Sequence, residues 1–377
     1  SDLSSLSVFS ICKRILLATC EIIVMTMGLK EVRAVQKEVK YAGRLLNDEG
    51  ALNECGYARK MLLEYDRSHI KANSFRIKEW DYYLIANKDF AVALTIADNS
   101  YMGLLSVSLL DFRQPWYKTT SVIKLLTFGK FKLPSSSKDG DIIYQDERVQ
   151  MEFLNNGVSR KLFCYMNDFN NGKSIECEFL IHNEPRDSIV MATPFAEDRK
   201  AFYYNQKINC MKVHGAAKYD GREYRFHPNS SFAVLDWGRG VWTYKNTWYW
   251  GSASGIVDGV TLGFNIGYGF GDTSAASENV LFYDGIAHKL EEVEFHIPKN
   301  GKIYDYMKPW SFTSSDKRFE MSFRPVLDRQ DYTSILLISS DQHQVFGFFS
   351  GNAVLDDGTT IEVKDFFGFA ERVSNRW

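Results

Sequence analysis

The feature that most constrains this chain is its punctuation: short runs rich in apolar and aromatic residues, broken by polar turns roughly every ten residues. Trp80 to Asn87, Phe90 to Ala97 and Gly103 to Phe112 read as the opening of a meander. Ile142–Tyr144, Val149–Phe153, Lys161–Tyr165, Ser174–Ile181 and Ser188–Ala192 continue it. After the aromatic stretch Phe202-Tyr203-Tyr204 come Asn209–Val213, Tyr224–Phe226, Trp242 to Ser254 and Val260 to Gly267. Val280–Tyr283 and Ile286–Leu290 flank Asp284-Gly285, a dipeptide suited to the primed hairpin turns that match strand twist. The tail adds Phe319–Phe323, Ser334–Ser339, Val345–Val354 and Thr359–Val363. Such a series predicts an all-β sandwich or barrel.

A chain of 377 residues exceeds one ordinary core and suits two domains or one large β architecture. Aromatic residues make up 15% of it, which favours broad packed sheet faces or an aromatic-lined cavity. Trp80-Asp81-Tyr82-Tyr83 and Trp248-Tyr249-Trp250 open similar stretches, so the body divides into β units over residues 43–200 and 201–377. Net charge is −2 without a basic run, which argues against nucleic acid as a partner. Six scattered cysteines read as reduced thiols of a cytoplasmic protein.

Residues 1–42 are expected to form an N-terminal helical extension. Within it Val8 to Met27 is apolar but interrupted by Lys13, Arg14 and Glu21, too broken for the ~20 residues of a membrane span. It reads as an amphipathic helix, or as an extension ahead of a translation start at Met25 or Met27. Neither stable membrane insertion nor a secretory signal is expected.

Chemistry concentrates between Leu235 and His288. Four of the eight tryptophans lie between 237 and 250, and ten of the 26 glycines between 238 and 285. Large rings and bare backbone therefore approach closely, as in a tight β corner or a cavity wall. Period-two reading puts Asn246, Trp248 and Trp250 on one side of their strand and Tyr249, Gly251 and Ala253 on the other. Leu262, Phe264 and Ile266 oppose Gly263, Asn265 and Gly267 in the same way. Leu281 pairs with His288, which places His288 diagonal to Asn279.

Gly267-Tyr268-Gly269-Phe270-Gly271 lacks the spacing of a dinucleotide fingerprint, and Gly251 to Gly255 centres on Ala253 where a nucleophile elbow needs serine. No histidine pair is spaced for a metal, so neither metal nor cofactor is expected. Asp236, Arg239, Asp272, Glu278 and His288 remain. Asp236 or Glu278 can act as a general acid–base in an aromatic pocket, with Arg239 orienting the substrate and His288 as a further candidate. The alternative is an Asp236–Arg239 ion pair that fastens a glycine-rich turn. Trp80, Tyr82, Tyr101, Trp242, Trp248, Trp250, Asn265, Asn279 and His343 are the candidate substrate-binding residues.

These residues carry a resemblance. Gly43-Arg44-Leu45, Trp80 with Tyr82, Asp98-x-x-Tyr101-x-Gly103 and Leu235-Asp236-Trp237-Gly238-Arg239-Gly240-Val241-Trp242 resemble the domain-of-unknown-function family 2804. So do Gly263-x-Asn265-x-Gly267, Glu278-Asn279-x-Leu281-Phe282-x-Asp284-Gly285, His343-Gln344-x-Phe346-Gly347-x-Phe349-Ser350-Gly351 and Gly368-Phe369-Ala370-Glu371. The likeness spans roughly Gly43 to Trp377 and leaves the N-terminus outside. More distantly, the layout is similar to calycin proteins built of two lipocalin-like units, such as carotenoid hydratases. That similarity implies a mainly β fold of two consecutive antiparallel lipocalin-like units packed together. It sets Asp236 at the Asp of an Asp-Glu-Trp pattern, although Trp237 and Gly238 follow here.

The expected function is a β protein that binds a hydrophobic or amphipathic small molecule between two units. It would act as a cofactor-independent hydratase, isomerase or cyclase through an acid–base carboxylate. Two alternatives stay open: a non-catalytic carrier of hydrophobic ligands, and a carbohydrate-active protein in which aromatic platforms and two carboxylates face a sugar.

Overall fold

The computed structural model describes residues 36–182, 184–335 and 338–376. Ten strands form the main path of the first sheet: β1 (Ile77–Ala86), β2 (Phe90–Asp98), β3 (Met102–Asp111), β4 (Trp116–Leu125), β5 (Ile142–Gln145), β6 (Val149–Asn155), β7 (Arg160–Asn170), β8 (Lys173–His182), β9 (Asp198–Tyr219) and β10 (Phe232–Val241). They lie in the order β4-β3-β2-β1-β10-β9-β8-β7-β6-β5, with three further strands alongside. The second sheet comprises β11 (Lys245–Val257), β12 (Val260–Tyr268), β13 (Val280–Tyr283), β14 (Ile286–Lys289), β15 (Val293–His296), β16 (Trp310–Ser314), β17 (Phe319–Ile335), β18 (Ile338–Val354) and β19 (Thr360–Arg376). Its order is β14-β13-β12-β11-β19-β18-β17-β16-β15.

The two orders repeat one plan. In each sheet four strands meander outward, the chain returns from the far edge, and the last strand closes on the first. That is the neighbour pattern of an up-and-down barrel left open at one seam, and each sheet curls into a half-barrel of the calycin type. At the first seam the Thr120 hydroxyl donates to the Phe169 carbonyl at 2.5 Å.

Alternation along the strands sorts side chains into three layers. Tyr83, Ile85, Leu94, Val107, Tyr204, Leu235 and Trp237 belong to the core inside the first half-barrel. Phe264, Ile266, Phe312, Phe349 and Ala370 belong to the core of the second. The opposite faces of β1, β9 and β10 meet β11, β12, β18 and β19, and Leu84, Val234, Trp250, Phe346 and Phe369 pack between them.

A bulge in β9 at Asn209-Cys210 fastens this middle layer. Asn209 Nδ2 donates to Ser252 Oγ at 2.7 Å and to the Phe264 carbonyl at 3.0 Å, and the Cys210 N–H donates to Ser254 Oγ at 3.0 Å. Cys210 takes a φ of 62°, a conformation a non-glycine residue adopts only when its surroundings hold it.

The segment Phe232–Val241 is a full strand, not a glycine-rich turn. Its glycines answer to close approach: a Cβ on Gly238 would stand 2.0 Å from the Trp80 indole, which lies over it. Trp242 follows the strand, and β11 starts at Lys245. The change of sheet therefore falls between Val241 and Lys245, whereas residue 200 lies within the 22-residue β9. The expected helical extension lies outside the described residues up to 35. Over 36–42 the chain carries no helix, only a bridge from Glu38 to Tyr57. Among the described residues no helix is long and apolar enough to cross a membrane.

Gly238→Ala should lower stability by about 1–3 kcal/mol through overpacking, whereas Gly43→Ala, with nothing within 4 Å, should be neutral. Urea midpoints measure both, and equal midpoints would contradict the seating of Trp80 over Gly238.

Candidate functional site between the sheets

Each sheet presents one polar row to the other. On the first, Tyr82, Asp236 and Lys207 are direct neighbours across β1, β10 and β9. On the second, Trp250, Glu371 and Gln344 are direct neighbours across β11, β19 and β18. Glu278 joins them from the segment before β13. Its carboxylate lies over Gly267, where a Cβ would stand 2.6 Å from Oε1.

Lys207 links the rows. Its Nζ is 2.8 Å from Asp236 Oδ2 and 4.0 Å from the centre of the Trp250 ring. Asn205 Nδ2 donates to Asp236 Oδ1 at 2.6 Å. Trp250 Nε1 donates to Asn265 Oδ1 at 2.7 Å, and Asn265 Nδ2 passes the contact to Glu278 Oε2 at 2.9 Å. Trp248 Nε1 and Gln344 Nε2 each donate to Glu371 at 3.0 Å. Asn279 holds the Glu278 segment in place, accepting from the Gly267 N–H at 2.7 Å and donating to the Glu291 carbonyl at 3.0 Å.

Three carboxyls thus share one interior, and burial acts on the protonation of Glu278 and Glu371. It pushes Glu371 up to about 7, against the Trp248 hydrogen bond and the charges of Arg329 and Lys207. It also raises Glu278, which Lys207 and the Asn265 hydrogen bond pull back. Tyr203 is held well above its ordinary range by burial and by the negative charge of Asp236, Glu278 and Glu371.

Part of this interior remains accessible. Asp236 keeps 13% of its side-chain surface accessible, and Trp80, Tyr82, Trp248 and Glu278 are only half-buried although they stand between two sheets. Aromatic rings close one end of this space. Trp80 stacks on Tyr203 at 6.0 Å and meets Trp242 edge-on at 5.3 Å. Phe270 is wedged against Tyr203 and Trp242, both at 4.7 Å, and Trp248 at 5.3 Å.

Of the residues nominated from sequence, the structure gathers Asp236, Glu278, Trp80, Tyr82, Trp242, Trp248, Trp250 and Asn265 here, with Asn279 behind them. Four stand elsewhere. Arg239 points into the first half-barrel, donating to Asp81 at 2.9 Å and to the Trp80 and Pro134 carbonyls, both at 2.7 Å. Asp236 and Arg239 are three residues apart on one strand, so they face opposite sides and form no pair. His288 accepts from the Asp356 N–H at 3.2 Å on the β13–β14 hairpin. His343 faces the second half-barrel, 2.7 Å from Asp328 and stacked on Tyr306 at 3.8 Å. Tyr101 lies under the Lys78 ammonium at the β2–β3 turn.

Lys207, Glu371, Tyr203 and Gln344 escaped nomination. Glu371 had a signal: it follows Phe367 and Phe369 at period two, a lone carboxylate on an aromatic face.

Fold and site define a two-unit antiparallel β protein of calycin type with an acidic, aromatic-walled interior between its units. The chain belongs to the family described as Domain of unknown function (DUF2804), which matches residues 36–377. Among solved structures it is similar to a protein described as an AttH from Nitrosomonas europaea, with a TM-score of 0.50 and 14% identity over 82% of this chain and 96% of that one. Kievitone hydratase from Nectria haematococca aligns with a TM-score of 0.43 and 11% identity over 90% of this chain and 98% of that one. No curated protein matches the chain by sequence.

The Glu371 environment predicts a pH signature. A carboxyl whose folded pKa lies above its unfolded value stabilises the fold at low pH, and that contribution is lost as pH rises from 4.5 to about 7. Glu371→Gln should therefore gain stability relative to the parent protein on going from pH 4.5 to pH 8, on the order of 3 kcal/mol. Urea denaturation at both pH values measures this, and a difference independent of pH would contradict it.

Proposed function

We propose that this protein binds a hydrophobic or amphipathic small molecule between its two sheets and transforms it by acid–base chemistry without a cofactor, through hydration, isomerisation or cyclisation of an unsaturated substrate. The observation that carries this reading is the pairing of unlike carboxyls in one interior. Glu371 holds its proton to about 7, while Asp236 forms an ion pair with the Lys207 ammonium at 2.8 Å. A buried carboxyl that keeps its proton and one ion-paired to an ammonium supply an acid and a base together.

In a hydration, Glu371 gives its proton to one carbon of the double bond. Water attacks the other carbon and yields a proton to Asp236. Solvent exchange restores both groups, so one water is added in balance. In an isomerisation Asp236 instead removes a proton from the neighbouring carbon. Trp80, Trp248 and Trp250 shield the developing cation and supply π faces to it. Glu278 is the second candidate base, held by Asn265.

A carrier role is the second reading, favoured by the hydrogen bonds and ion contacts that already satisfy Asp236, Glu278 and Glu371. A panel of apolar allylic alcohols and conjugated alkenes, incubated in deuterium oxide and read by mass spectrometry, separates the two. The catalytic reading expects solvent deuterium at a substrate carbon, falling about 100-fold or more in Glu371→Gln and Asp236→Asn. Undiminished exchange in both variants would remove these carboxyls from the reaction. Binding of the panel without any exchange would leave the carrier.

A further inference from the structure

At the end of the inter-sheet space opposite Phe270, a cleft of about 910 Å³ opens between the two sheets. Its wall includes Leu84, Val234, Ser252, Phe346, Phe367 and Phe369. On five strands, one same-face step inward from this wall lands on a residue of the acidic site. Leu84 leads to Tyr82, Val234 to Asp236, Ser252 to Trp250, Phe346 to Gln344, and Phe369 to Glu371. Each step spans two residues, about 7 Å along a strand.

The two ends of the space differ. Phe270 stands between Gly269 and Gly271, both at positive φ, and its ring fills the gap among Tyr203, Trp242 and Trp248. That end is sealed by aromatic contact. At the cleft, charges of both signs ring the mouth, among them Lys88, Asp89, Glu362 and Lys364, while the wall beneath is apolar. Water reaches the mouth and is unwelcome further in.

We infer that this cleft is the chamber for the non-reacting part of the ligand, and that the ligand is an elongated molecule with an apolar body, lying along Val234, Phe346 and Phe369 with its reactive end inward at Asp236 and Glu371. The inference rests on the proposed reading of the site and adds the ligand's shape, its orientation and its route of entry. The volume lies within the usual range of small-molecule sites and well above what a compact polar metabolite needs.

The probe is N-phenyl-1-naphthylamine, whose fluorescence rises in apolar surroundings, displaced by straight-chain 1-alkanols of four to fourteen carbons. Affinity should climb about fourfold per methylene until the cleft is filled, then level off. Ala86→Trp, which narrows the mouth from the end of β1, and Phe367→Asp, which makes the wall polar, should each weaken the long alkanols at least tenfold. Urea midpoints of the two variants establish that they remain folded. Displacement independent of chain length would overturn the inference. So would unchanged alkanol affinity in both variants together with a loss in Phe270→Ala, which would place entry at the other end.

The outcome is separable from that of the catalytic reading. Chain-length dependence without deuterium exchange keeps the chamber and removes the catalysis. Exchange without chain-length dependence does the reverse.

Discussion

The Lys207–Asp236 ion pair is the contact on which the middle layer of this protein turns. It joins neighbouring strands of the first sheet, and its ammonium lies against Trp250 of the second. Removing one partner of a buried pair leaves an uncompensated charge, so each residue is tied to the other. Lys207 also offsets the burial of Glu278 and Glu371, which reach the interface from separate elements. Lys207, with Arg329 acting on Glu371, thereby offsets the burial of the carboxyls in this space.

The duplicated topology explains why such a space exists. Each half-barrel fills its inside with its own apolar core, and the outer faces of its closing strands are left to meet the other unit. Close-packing is completed at the Phe270 end, while the opposite end opens into the cleft walled by Leu84, Val234 and Phe346. Between them the rows Tyr82–Asp236–Lys207 and Trp250–Glu371–Gln344 stand opposite each other. The Asn209-Cys210 bulge also holds the sheets together through Ser252 and Ser254.

Much of this was legible in the sequence wherever period two was unbroken. The facing of Trp248, Trp250 and Asn265 follows from alternation alone, and the pairing of Leu281 with His288 follows from the two-residue Asp284-Gly285 turn. The reading failed where glycine hid a strand. Gly238 and Gly240 suggest a turn until the Trp80 ring over Gly238 and the Phe202 carbonyl near Gly240 are known, and those contacts cross between strands. With the segment taken as a turn, Asp236 and Arg239 looked like partners. As a strand it sends them to opposite faces. Lys207 lay hidden because Tyr203, Asn205, Lys207 and Asn209 form a mostly polar face. Nothing local says that such a face meets a second sheet rather than water. The change of sheet after Val241 was hidden for a related reason: β9 is longer than any segment the turn pattern marks out.

Everything in the interior turns on Glu371, a carboxyl that burial keeps protonated. Carbon-13 NMR of protein labelled at glutamate side-chain carboxyls, with the Glu371 signal assigned by its loss in Glu371→Gln, reports that group's protonation directly. The account predicts a titration midpoint near 7. A midpoint at the ordinary glutamate value of about 4.3 would contradict it, and would leave the interface as a structural ion cluster.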